Sequence, residues 1–62
     1  MNSAHNTETI QLNRGRKLVF AFVTPKADAT FDLMIVQQTG KVSILLNQFG
    51  LTRAQVDAAI AA

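Results

Sequence analysis

The tightest constraint on this chain lies around Thr52. Thr52 and Gln55 stand at capping-box spacing, where each side chain satisfies a backbone donor in the first turn of a helix. Val56, Ala59 and Ile60 follow as one buried stripe, and Leu51 and Val56 are placed to act as a hydrophobic staple. Arg53, Ala54, Gln55, Asp57 and Ala58 then fall on the flanks or outer face of that helix. Immediately upstream, Val42, Leu45, Leu46 and Phe49 fit the i, i+3, i+4, i+7 pattern of an amphipathic helix, with Gly50 as its stop. The spacing predicts two helices meeting at a tight corner at Gly50.

The first half of the chain reads differently. Thr7 to Leu12 alternate loosely, as a short strand does, and Asn13-Arg14-Gly15-Arg16 has the residues of a tight turn. Lys17 to Val23 then form a second strand rich in aromatic and β-branched residues. That strand lacks a polar face, so both of its sides are expected to be covered, by helices on one and a partner subunit on the other. Thr24 and Pro25 suit the N-cap and first position of a helix carrying Ala27, Phe31, Met34, Ile35 and Gln38, with Asp28 and Asp32 near its dipole-favoured start. Thr39-Gly40 would end it.

A second hairpin competes with that helix. Phe31, Leu33 and Ile35 also alternate, Thr39-Gly40 can turn, and Val42-Ser43-Ile44 is strand-like. Periodicity alone does not decide between them, and the regular stripe from Val42 to Phe49 tips the reading to helix. The expected fold is therefore α+β, an N-terminal β-hairpin followed by a three-helix segment, in one small domain over residues 7–62. A polar tail, Met1 to Asn6, is expected to be disordered. The alternative is a four-stranded antiparallel sheet with one C-terminal helix.

A chain of 62 residues buries only about 60% of the surface its unfolded form exposes. It has no cysteine for a disulfide and one histidine, too few for a structural zinc site. With 48% apolar and only 16% charged residues, apolar surface is left over, and a homodimer is expected to cover it. No apolar run reaches membrane-span length, and the first residues lack the charged and apolar regions of a secretory signal. These features suit a cytoplasmic protein. The net charge of +2 is compatible with nucleic acid without requiring it.

Catalysis finds little to work with. His5 belongs to the tail, and the carboxylates are Glu8, Asp28, Asp32 and Asp57. Asp28 and Asp32, one helical turn apart, make a poor metal site without histidine and read as solvated residues. No enzyme, metal or cofactor is expected.

The segment Leu45 to Ile60 resembles the helix-turn-helix of bacterial and phage transcription regulators. With Gly50 as the turn glycine, Leu45, Phe49, Leu51, Thr52 and Val56 stand where that family carries apolar, small polar and again apolar residues. Gln37 to Ser43 is similar to the join between the first two helices of winged regulators. The chain departs from the family at Leu46, where alanine is usual, and at Ala54, Asp57 and Ala58, which occupy base-reading positions. The resemblance implies a small DNA-binding transcriptional regulator acting as a homodimer. Thr52, Arg53 and Gln55 would face the groove, with Arg53 as the guanine contact, and Arg14, Arg16 and Lys17 would sit on phosphates as a wing. Capping accounts for Thr52 and Gln55 equally well, and a solvated turn accounts for the basic cluster. The alternative function is a protein-binding inhibitor or adaptor of phage or plasmid type. It would use the apolar strand edge of Leu18, Phe20 and Phe22 together with the alanine-rich final helix.

Overall fold

The computed structural model describes residues 7–62, so the tail expected over Met1 to Asn6, including His5, lies outside the described residues. Four strands, β1 (Glu8–Arg14), β2 (Lys17–Pro25), β3 (Phe31–Gln37) and β4 (Ser43–Leu51), precede one helix, α1 (Arg53–Ala61). The strands form a single antiparallel sheet in the order β1-β2-β3-β4. The three-helix segment and its helix-turn-helix are overturned, because residues 31–37 and 43–51 are extended and paired with each other. The observed architecture is the alternative, a four-stranded sheet with a C-terminal helix.

Turn chemistry explains the meander. Gly15, at φ +67, is the first of two residues linking Arg14 to Lys17, and a glycine in that position is the mark of a type II′ hairpin. Thr24-Pro25 does not start a helix. Pro25 ends β2 opposite Phe31, and a strand terminus tolerates proline. The five residues after it close a tight loop in which Lys26 N donates to Thr30 O (2.9 Å) and Ala29 N to Lys26 O (3.3 Å). Thr39-Gly40 turns the chain between β3 and β4 instead of ending a helix. The Thr39 hydroxyl accepts from Leu18 N, and Gln38 N donates to Leu18 O at 2.8 Å.

Alternation along the strands builds the core on one face of the sheet. Leu12, Val19, Ala21, Val23, Leu33 and Ile35 are buried there under Val56 of α1, with Ile10, Phe31, Leu46, Leu51, Ala59 and Ile60 around them. The helix is held as its residues predict. Gln55 N donates to Thr52 Oγ1 (3.2 Å) and Thr52 N to Gln55 Oε1 (2.9 Å), completing the capping box. Of the staple pair, Val56 belongs to the core cluster and Leu51 packs against it, partly buried. Among the described residues no helix is long and apolar enough to cross a membrane.

Strand β4 is irregular. Ile35 faces Leu46 but Val36 faces Ile44, which leaves Leu45 as an extra residue. Leu33 faces Gln48 and Phe31 faces Leu51, so a second extra residue falls at Phe49–Gly50, where Gly50 takes φ +67. Gly50 is therefore a bulge glycine within a strand, not a corner between helices. Each bulge flips the chain to the other face. Leu46 joins the core, while Ile44, two residues earlier, shares the opposite face with Val36.

Candidate functional site

The face of the sheet opposite α1 is built by two cross-strand rows. Thr9, Phe22, Met34 and Asn47 form one, and Gln11, Phe20, Val36 and Ile44 form the other. Leu18 extends this face at one end and Phe49 at the other. The Phe20 and Phe22 rings lie 6.5 Å apart in a tilted pair, and Val36 is buried although it stands outside the core under the helix. Beside Phe49 lies an open depression of about 200 Å³ lined by Phe22, Thr24, Asp32, Leu33, Met34 and Asn47. That is smaller than the roughly 300–1,000 Å³ of typical small-molecule pockets, and it suits one or two side chains better than a cofactor.

Exposure of large apolar residues is concentrated at β4. Phe49 is 69% exposed, Ile44 62% and Leu45 50%, with Val42 at 67% just before the strand. Clustering of exposed large apolar residues on one strand marks a contact site more than the same residues scattered singly would. The depression joins this patch to the centre of the face through Met34 and Phe22.

Charge is nearly absent from the face and is sorted between its ends. Asp32 is the one charged residue lining the depression. Its Oδ2 lies 3.3 Å from Lys26 Nζ, and its Oδ1 accepts from Gly50 N at 3.4 Å. Arg14, Arg16 and Lys17 at the β1–β2 turn and Lys41 in the β3–β4 loop all lie at one end of the sheet, with no acidic side chain among them. The other end carries Glu8, Asp28 and Asp32 with Lys26, and the start of α1 brings Arg53 and Asp57 there. The Thr30 hydroxyl (2.5 Å) and Thr30 N (3.2 Å) donate to Asp28 Oδ1, and these bonds hold its carboxyl below the ordinary value.

The residues singled out for DNA do not come together. Thr52 and Gln55 are occupied with each other in the capping box. Arg53 lies 3.2 Å from Asp57 and 3.6 Å from Glu8, with its guanidinium 5.6 Å from the centre of the Phe31 ring. Arg14, Arg16 and Lys17 lie at the far end of β1 from Glu8, about 20 Å away at the usual rise per strand residue. Leu18, Phe20 and Phe22 form no strand edge either, because β2 is paired on both sides, with β1 and β3. They contribute to a face instead. Met34, Val36, Ile44, Asn47 and Phe49 were missed because their segments read as helices, although Met34 and Val36 alternate with Leu33 and Ile35 as strand residues do.

Comparison with protein-family models, with characterised proteins and with solved structures finds no match to this chain.

Proposed function

We propose that this protein is a small binding module, an adaptor or inhibitor in kind, which docks another polypeptide on the open face of its sheet. The observation that carries this reading is the grouping of Phe22, Met34 and Phe49 around one depression, with Phe20, Val36 and Ile44 in the neighbouring row, on a face that α1 does not cover. A stable domain packs each apolar face against a second layer, and here the face under α1 has one while the apolar part of the other face, on β2 to β4, does not. Fully burying a side chain such as Phe or Ile contributes about 1.5–3 kcal/mol, so covering two or three of them is enough to drive association. The absence of cysteine suits a reducing compartment such as the cytoplasm.

A second reading, contact with duplex DNA, is supported by the basic end. Arg14 and Lys17 flank the turn that holds Arg16, Lys41 lies in the β3–β4 loop at the same end, and four phosphate contacts would give a log–log salt slope of about −3.6. The start of α1, the end of a helix that would lead into a groove, lies at the opposite end of the sheet from these cations. The face therefore ranks above the basic end.

A photo-crosslinking amino acid tests the docking reading. Placed at Phe49 it should yield polypeptide adducts in cells, and placed at Ala58, on the outer side of α1, it should not. Equal yields at the two positions, or none at Phe49, would refute it.

A further inference from the structure

We infer that the occupant of the open face is a second copy of this chain, packed face to face about a twofold axis that runs across the strands. The inference rests on the docking reading above and adds the identity and orientation of the partner. Three independent features point to self-association through this face.

The first is charge. A face that meets its own copy must not repel it, and the rows from Thr9 to Asn47 and from Gln11 to Ile44 carry no charged side chain. Asp32, at the margin, already faces Lys26 within its own chain. The ends of the sheet then select the axis. A twofold axis along the strands would bring Arg16 and Lys41, in the two loops at one end, over each other's images. An axis across the strands sets those loops over the end of the second copy that carries Asp28 and Asp32, where Lys26 is already engaged by Asp32, and does so twice by symmetry.

Apolar surface selects the same axis independently. An axis along the strands would lay β4, with Ile44 and Phe49, over the polar Thr9, Gln11 and Asn13 of β1. An axis across the strands lays β4 over the β4 of the other copy, running antiparallel, so that Phe49 of one approaches Ile44 of the other. Two sheets in this relation pack about 10 Å apart as an aligned sandwich, with the helices outside.

Size and edge chemistry supply the remaining argument. The molecule is a slab of 37 × 25 × 15 Å, whose broad side spans a rectangle of about 900 Å². A standard stable interface takes about 800 Å² from each partner, so this side is of the right size. Growth by strand addition at β4 is a poorer solution, because two bulges break the regular ladder that an incoming strand needs.

Sedimentation equilibrium of the full chain at micromolar concentration should give the mass of two chains. Phe49→Asp and Ile44→Asp should each weaken the pair by at least about tenfold while keeping the circular dichroism spectrum, whereas Ala58→Asp should not weaken it. Lys41→Glu should also weaken it, through the end-to-end charge match. The chain lacks cysteine, so a short bismaleimide should join Asn47→Cys chains and leave Ala58→Cys chains single. The mass of one chain throughout would overturn the inference. So would a dimer that survives both aspartate substitutions, or one that cross-links through position 58. If the chain is monomeric but position 49 still captures other polypeptides, the docking reading stands without this partner. If position 49 captures nothing, both fall.

Discussion

Ala29 takes the left-handed backbone region at φ 70, the last of the three residues (Ala27, Asp28, Ala29) between the paired Lys26 and Thr30, a position that glycine normally fills. An L-residue with a Cβ is disfavoured there by roughly 1–2 kcal/mol, so Ala29→Gly should raise the unfolding free energy by about 1 kcal/mol in a denaturant titration. The loop holds this conformation because Asp28 accepts from both the backbone and the hydroxyl of Thr30 while Lys26 N donates to Thr30 O. At this scale the sequence is most legible where the interaction is local. Thr52 and Gln55 announce the capping box because both partners lie within one helical turn. The engagement of Arg53 with Glu8 and Phe31 was hidden, since it depends on β1 and β3 being brought under the helix start.

Strand β4 shows why an element can be misread. A regular strand alternates, but each bulge inserts a residue and resets the phase. Leu45 is such an insertion, so Ile44, Leu45 and Leu46 run together as three apolar residues, and Val42, Leu45, Leu46 and Phe49 imitate a helical stripe. The second insertion uses Gly50, whose position before the helix made it look like a helix stop. Gly50→Ala tests this assignment. A Cβ at Gly50 meets nothing within 4 Å, so the cost is backbone strain at φ +67 without a clash. A loss of about 1–2 kcal/mol in unfolding free energy is expected, with the helical circular dichroism signal retained. The β1–β2 hairpin, by contrast, was legible, because Gly15 sits between two unbroken strand patterns.

The whole molecule is less compact than its length suggests. Its radius of gyration is 12.3 Å, against about 10–11 Å for a globular chain of this size. A helix of nine residues spans about 13.5 Å and covers one face of a four-stranded sheet, leaving the other as the broad side of a thin slab. The surplus of apolar residues was legible in composition. Its location was not, because that depends on which face each strand turns outward. If a second chain covers that side, stability includes the association, and the thermal midpoint should rise with protein concentration in differential scanning fluorimetry. A midpoint independent of concentration would mark a chain that is stable alone.

The two irregularities in β4 carry one last consequence. The strand with the most exposed large apolar side chains is also an outermost one, the usual recipe for runaway templating into fibres. Kinks at Leu45 and Gly50 deny a newcomer the flat, evenly spaced rim it would need to latch on. Strand addition at that rim is thereby disfavoured, and a crowded solution of this chain should stay clear of fibres seeded there.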